Sequence, residues 1–252
     1  MTTQIAVITG GSRGLGKNTA LHLADRGTDV ILTYKSAEAE ARAVVAELQA
    51  KGRKAAAIQL DVGDSAGFAA FADQVKAELE RTWQRTQFDA LVNNAGGACY
   101  APFAQTTEAQ FDEVFRVHLK APYFLTQRLL PLIADGGSIV NISSGLARFS
   151  FPGSSAYASM KGGVEVLTRY LAKELGPRKI NVNTFAPGAI ATDFGGGRVR
   201  DDQTINAQVA SVTALGRVGQ PDDIGAAIAL LLSPDNHWIT GQRIEASGGM
   251  ML

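Results

Sequence analysis

The sequence predicts a doubly wound α/β protein, a parallel sheet of about seven strands with helices on both faces. Two observations carry this. Short apolar runs alternate with longer segments of helical period along most of the chain. The first six runs are mostly continuous in apolar character rather than alternating, the pattern of parallel strands buried on both faces.

The strand candidates, in order, are Ile5–Thr9, Asp29–Tyr34, Lys54–Asp61, Asp89–Asn93, Ser138–Ser143, Ile180–Phe185 and Arg243–Glu245. Between them Ala41, Val44, Val45 and Leu48 recur at helical spacing, as do Val164, Leu167, Leu171 and Leu175. Strand-helix alternation of this length implies right-handed crossovers. No internal repeat and no linker rich in Pro, Gly or Ser divides the chain, so residues 1–252 read as one domain. The least regular stretch is 193–217, which opens with Gly195-Gly196-Gly197 and contains a short helical piece, Thr204–Val212. It reads as a mobile substrate loop hinged at the glycines, with a variable surface excursion as the alternative.

Composition narrows the function. Hydrophobic residues make up 46% and charged residues 19% of the 252, enough apolar content for a sizeable core. Lys plus Arg equal Asp plus Glu at 24 each, so charge offers no pull toward nucleic acid or an anionic membrane. No window approaches the roughly 20 apolar residues of a membrane helix. No signal-peptide pattern precedes the first strand, and the single cysteine, Cys99, suits a reducing compartment, so a cytoplasmic protein is expected.

The first strand runs into Thr9-Gly10-Gly11-Ser12-Arg13-Gly14-Leu15-Gly16 and then a helix with Leu15, Thr19 and Leu23 on one face. Glycines in a strand-to-helix turn let backbone N–H groups approach a pyrophosphate, and the helix end adds its positive dipole. A glycine turn alone also serves structure. At the first βα junction it points to a dinucleotide. A carboxylate ending the second strand would bind the ribose hydroxyls of NAD and repel a 2′-phosphate. Here that position is Tyr34, followed by Lys35 and Ser36, with Arg13 in the adjoining turn. Two cations and a hydroxyl where an acid is missing favour NADP(H) over NAD(H).

Tyr157-Ala158-Ser159-Met160-Lys161 puts a phenol and an ammonium on one helical face. A phenol of pKa about 10 is a poor base near neutrality. A neighbouring cation and an oxidised nicotinamide would lower it, making Tyr157 the acid/base partner of a hydride transfer. Such a pair arises by chance in many helices. Its company is Ser144, at the end of the apolar strand Ile139-Val140-Asn141-Ile142, placed to hydrogen-bond a reacting oxygen; Ser143 should point to the opposite face.

With these motifs in order, the sequence resembles the short-chain dehydrogenase/reductase family, from the first strand to the C-terminus. The matching elements are Thr9-Gly10 through Gly14-Leu15-Gly16, Asp61-Val62, Asn93-Asn94-Ala95-Gly96, Ser144, Tyr157 with Lys161, and Pro187-Gly188 with Thr192. The resemblance implies a Rossmann-like fold. It implies Ser144 as substrate-oxygen stabiliser, Tyr157 as acid/base and Lys161 as the group that holds the nicotinamide ribose and tunes Tyr157. It also implies a cofactor lined by Gly10, Ser12, Gly14, Leu15 and Gly16, with Asp61 and Val62 at the adenine. Asn93 would lie near the adenosine ribose and the central sheet and Thr192 near the carboxamide, with Ala95, Gly96, Pro187, Gly188 and Ile190 also at the cofactor; the implied role of Asn93-Asn94-Ala95-Gly96 is partly structural. The family usually carries an asparagine, anchoring a relay water, where this chain has His118. Histidine also orients water, so His118 is read as a relay member, with a merely buried histidine as the alternative. His22 and His237 have no partners at metal-ligand spacing, and no catalytic metal is expected.

Leu146, Phe149, Phe151, Phe103 and Phe194 frame an apolar pocket suited to an uncharged ketone or its alcohol, with Arg148 an isolated charge beside it. Three further readings stay open: a 3-oxoacyl-carrier-protein reductase, for which Arg178 is a candidate docking cation, a sugar or hydroxysteroid dehydrogenase, and a non-catalytic NADP-binding subunit. The resemblance implies a homotetramer formed through the helices Phe111–Leu130 and Ser155–Leu175 and the C-terminal strand.

Overall fold

Seven strands form one all-parallel sheet in the computed structural model, which describes residues 3–252. They are β1 (Ile5–Ile8), β2 (Asp29–Tyr34), β3 (Ala55–Gln59), β4 (Phe88–Asn93), β5 (Ile133–Ile142), β6 (Asn181–Pro187) and β7 (Arg243–Ala246). Their order is β3-β2-β1-β4-β5-β6-β7. The helices are α1 (Gly14–Asp25), α2 (Glu38–Ala50), α3 (Phe68–Glu78), α4 (Glu108–Phe115), α5 (Ala121–Leu129), α6 (Ser155–Leu175), α7 (Arg198–Asp201), α8 (Gln203–Ser211) and α9 (Pro221–Leu231).

The strands are apolar on both faces because each face has its own core. Ala6, Ile8, Val30, Leu32, Val92 and Val140 pack with Ala20 and Leu23 of α1, Val44 of α2 and Ile224 and Ile228 of α9. The alternate residues Ile5, Val7, Ile31, Leu91, Ile139 and Val182 pack with Phe68, Phe71 and Val75 of α3, Leu125 of α5 and Leu175 of α6. A buried polar ladder crosses the second face. The Asn93 amide donates to Thr126 (3.0 Å) and Asn141 (2.8 Å), Asn141 donates to Thr168 (2.9 Å), and so does Thr184 (2.8 Å). Every member is hydrogen-bonded, as burial demands.

Two elements differ from expectation. The third strand is shorter than Lys54–Asp61. The fifth begins at Ile133, five residues early, because the chain bends through Gly136 (φ 80°) and resumes pairing after a register shift opposite Phe88 and Ala90. A Gly-Gly pair reads as a turn in sequence, and only pairing with β4 makes it strand. The stretch 193–217 is largely helical, holding α7 and α8, and Gly195, Gly196 and Gly197 are all left-handed (φ 64°, 74°, 77°).

Candidate active site

The strand order reverses between β1 and β4, which opens a crevice at the carboxyl ends of the strands. The glycine turn lies there. Gly10 and Gly14 have φ of 66° and 56°, and a Cβ on Gly16 would lie 2.2 Å from the Gly10 carbonyl oxygen. Only glycine fits these positions. The turn is braced from β4: Asn94 and Ala95 donate backbone N–H groups to Thr9 Oγ1, both at 2.9 Å, and the Asn94 amide donates to the Thr9 carbonyl at 2.9 Å. Asn94 thus has a structural part within the Asn93-Asn94-Ala95-Gly96 motif, through partners 84 and 85 residues away.

Helix α1 starts after Arg13 with no side-chain cap, so the N–H groups around Ser12, Arg13, Gly14 and Leu15 remain open to an anion. Thr192 closes the opposite wall; a Cβ on Gly14 would sit 3.9 Å from Thr192 Cβ. Pro187 ends β6, Gly188 packs so tightly that a Cβ would come within 2.8 Å of Ser247 Cα, and Ile190 bridges to Gly219. Gly96 leaves no room for a side chain against His118. Asn93 lies differently from its neighbours, with its side-chain amide turned into the sheet ladder.

At the far end of the crevice Tyr34 closes β2, and Arg13, Lys35 and Ser36 are exposed. Lys35 Nζ lies 2.9 Å from Asp61 Oδ2. The pair raises the lysine and lowers the aspartate from their ordinary values. Two residues read separately, one for a phosphate and one for an adenine, thus hold each other. Val62 packs at the edge of the α3 core.

Ser144, Tyr157, Lys161 and His118 come together. Ser144 follows β5 in extended backbone and its Oγ accepts the Leu146 N–H at 3.2 Å; Ser143 turns away, donating to Glu165 at 2.7 Å. Tyr157 and Lys161 are only 9% and 6% exposed on the inner face of α6. Burial raises the Tyr157 phenol above its ordinary range, while the Ser144 hydroxyl pulls it back. Burial also lowers the Lys161 ammonium to about 7. Lys161 Nζ donates to the Ile142 carbonyl at 2.6 Å and sits 5.5 Å from the Tyr157 ring centroid. The expectation that the ammonium lowers the phenol therefore fails for this state. Desolvation of the phenol outweighs an ammonium that is itself desolvated and committed to a carbonyl.

His118 lies in a π-helical turn, Arg116–Lys120, between α4 and α5. It is 3% exposed, its Nε2 is 2.7 Å from the Gly97 carbonyl, and its Nδ1 is buried with no protein partner. Burial, with Lys161 nearby, lowers its pKa to about 3. A neutral ring donating from Nε2 leaves Nδ1 as an acceptor.

Around Tyr157 pack Val114, Met160, Cys99, Leu119 and Leu146. The Phe194 ring lies 6.0 Å from the Tyr157 ring, Phe149 and Phe151 meet edge to face at 5.8 Å, and Arg198 stacks over Tyr100 at 5.3 Å. Phe103 is largely exposed. Arg148 is not isolated, contrary to its reading from sequence; it forms a two-pronged ion pair with Glu245 (2.7 and 2.8 Å), 97 residues away. Arg178 bonds Asp135 and the carbonyls of Leu130 and Ile133, at the amino ends of β5 and β6, remote from the site.

Comparison with known proteins agrees with this geometry. Residues 10–251 match a family model described as enoyl-(acyl carrier protein) reductase. A hydroxynaphthalene reductase-like protein of Metarhizium brunneum is 35% identical, the match covering 98% of this chain and 94% of that protein. Among solved structures, a promiscuous reductase that catalyses keto-reduction at C1 during lugdunomycin biosynthesis superposes with a TM-score of 0.94. It is 37% identical and covers 100% of this chain and 99% of its own. An angucycline C-6 ketoreductase with bound NADP has a TM-score of 0.94 at 31% identity, covering 99% of this chain and 96% of its own. With the glycine turn, Ser144 at the end of β5, the buried tyrosine and lysine, and matches over nearly the whole length, the chain belongs to the short-chain dehydrogenase/reductase family of oxidoreductases.

Proposed function

We propose that this chain is an NADP(H)-dependent ketoreductase in which Tyr157 gives its proton to a carbonyl oxygen that Ser144 also holds. The observation that carries the reading is the placement of Tyr157 beside the Ser144–Leu146 turn at the carboxyl end of β5, with Lys161 Nζ 5.5 Å and the His118 ring 4.9 Å from its ring centroid. The residues fit the dinucleotide. The uncapped α1 and the glycine turn, which a Cβ would obstruct, suit a pyrophosphate, while Lys35, Arg13 and Ser36 suit a 2′-phosphate. The related angucycline ketoreductase binds NADP. When bound, the reduced dinucleotide supplies the hydride.

The protein's own groups handle the proton. Burial keeps Tyr157 protonated at neutral pH, the state a general acid needs for reduction. Ser144 donates to the same oxygen as charge develops on it. Lys161 holds the nicotinamide ribose, and its departure from the Ile142 carbonyl would free its charge to act on the phenol. His118 Nδ1 would accept a hydrogen bond from a water that passes a solvent proton to the Tyr157 phenolate after the first has left on the alcohol product.

The substrate is a planar, fused-ring aromatic ketone. Phe194 packs 6.0 Å from the Tyr157 ring, Tyr100 lies against Gly195 of the same segment, and Phe149 and Phe151 follow Ser144 in the chain, packed edge to face. One relative is named a hydroxynaphthalene reductase-like protein and one solved neighbour an angucycline C-6 ketoreductase. Loops 98–100 and 194–198 touch through Tyr100, Gly195 and Arg198, and the glycines 195–197 let the second open. A carrier-protein substrate has less support, because Arg178 lies away from the mouth.

NADPH consumption with α-tetralone, a 3-oxoacyl thioester, an enoyl thioester, a steroid ketone and a sugar, repeated with NADH, tests the reading. Turnover of the aryl ketone with NADPH is expected. Preference for NADH, or turnover of the enoyl thioester alone, overturns it, and NADPH binding without any turnover establishes a non-catalytic binder.

A homotetramer is proposed on the exposed Phe111, Phe115, Tyr123 and Phe124 of α4–α5 and Val166 and Tyr170 of α6, checked by light scattering after size exclusion. No helix among the described residues is long and apolar enough to cross a membrane. A cytoplasmic setting is proposed on the single free thiol of Cys99.

A further inference from the structure

The backbone that presents Ser144 is anchored by a strand almost one hundred residues away. Strand pairing ends with the Ser143 N–H donating to the Phe185 carbonyl at 2.7 Å, and the chain then turns into a short 3-10 segment, Gly145–Ala147. Ser144 thus stands where the sheet no longer fixes the chain. Arg243 of β7 reaches this junction with all three guanidinium nitrogens. Its Nε donates to Glu165 Oε1 at 2.7 Å, the oxygen that also accepts from Ser143 Oγ. Nη1 donates to Glu245 Oε2 at 2.6 Å, and Nη2 to the Ser144 carbonyl at 3.3 Å.

The chain of charges continues past the serine. Glu245 accepts from Arg148 through both carboxylate oxygens and from Ser247 Oγ at 2.7 Å, and Arg148 Nη2 also donates to the Met250 carbonyl at 2.8 Å. Residues 143, 144 and 148 are therefore tied to one Glu165–Arg243–Glu245–Arg148 row, on both sides of the reacting hydroxyl. Two cations and two carboxylates cancel, and Glu245 is held at about 2, chiefly by Arg148. The row fixes the backbone on either side of Ser144 through charge-assisted hydrogen bonds.

We propose that Arg243 is a positioning residue that, through Glu165 and Glu245, aims the Ser144 hydroxyl at Tyr157. The proposal rests on the reading of Ser144 and Tyr157 given above. Arginine is required because three divergent donors are used at once, which an ammonium on a flexible stem cannot reproduce. A hydroxyl displaced by a fraction of an ångström loses its bond to the reacting oxygen, and such losses cost about 10–100-fold in rate.

The test measures kcat, NADPH KM and the basic limb of the kcat/KM profile for wild type, Arg243→Lys, Glu245→Gln, Ser144→Ala and the Arg243→Lys/Ser144→Ala double variant. Thermal melting accompanies each variant. Arg243→Lys is expected to lower kcat about tenfold with NADPH KM unchanged, and to move the basic limb upward, as Ser144→Ala does. Glu245→Gln, which keeps size and one acceptor, should give a smaller loss in the same direction. In the Ser144→Ala background Arg243→Lys should have no further effect, since the group it aims is gone. An equal loss in both backgrounds, or lower melting temperature with unchanged kcat and pH limb in the folded enzyme, overturns the positioning role alone. An unchanged kcat for Ser144→Ala overturns the reading of Ser144 and this inference with it.

Discussion

The His118 and Tyr157 rings meet in a T-shaped pair with centroids 4.9 Å apart and planes at 81°. The histidine packs directly on the phenol it was read as serving, and its free Nδ1 is buried beside it. A cation there is disfavoured by burial and by Lys161, so the ring acts as a neutral acceptor.

This predicts how stability follows pH. The unfolded chain binds a proton at His118 below about 6.5, while the folded chain does so only near 3. Between these values the unfolded state holds more protons, so stability is full above 6.5 and falls as pH drops toward 3. His118→Asn should flatten that acid loss by on the order of 2–4 kcal/mol at pH 3 in urea titrations. An unchanged acid slope would show that the ring charges in the folded state. His118→Ala should lower turnover less than Tyr157→Phe, and equal losses would contradict that ranking.

Tyr157→Phe removes the proton donor and leaves the ring packing with His118 and Phe194. A loss of about 100–10,000-fold in kcat is expected, with NADPH affinity by fluorescence little changed. Retained turnover would place the acid elsewhere.

Lys161 offers a trade between stability and activity. The folded ammonium titrates at about 7 and the unfolded one near 10.5, so its burial penalty is full below pH 7 and disappears above 10.5. Lys161→Met should raise stability near neutrality by on the order of 1–3 kcal/mol while abolishing turnover. A variant that melts lower at pH 6 would contradict the sign.

The Lys35–Asp61 pair is exposed and adds little to folding. Its use is at the cofactor. Lys35→Ala should raise KM for NADPH about 10–50-fold and leave NADH unaffected, since one charge-assisted bond to the 2′-phosphate is lost. Equal effects on both cofactors would remove Lys35 from the phosphate site.

Gly16→Ala forces a Cβ against the Gly10 carbonyl and should cost about 1–3 kcal/mol and weaken NADPH binding. Gly67→Ala, which meets nothing within 4 Å, should do neither and serves as the control.

Sequence by itself determined the elements and named the residues that the fold gathers around Tyr157. Apolar runs and helical periods depend on near neighbours, so all seven strands, the long helix α6 and the glycine turn were legible, as were Ser144, Tyr157, Lys161 and His118. Even the opposite facing of Ser143 followed from strand alternation alone.

Tertiary structure decided what each charge does. Arg148 with Glu245, Arg243 with Glu165, Lys35 with Asp61 and Asn94 with Thr9 are separated by 26 to 97 residues, and no local pattern announces them. The direction of the Tyr157 shift was also beyond the sequence. A neighbouring lysine can be read from a spacing of four, but the loss of water around both groups depends on β5, the π turn at His118 and the Phe194 segment closing over them. Desolvation is a property of the assembled fold, and here it outweighs the nearby charge.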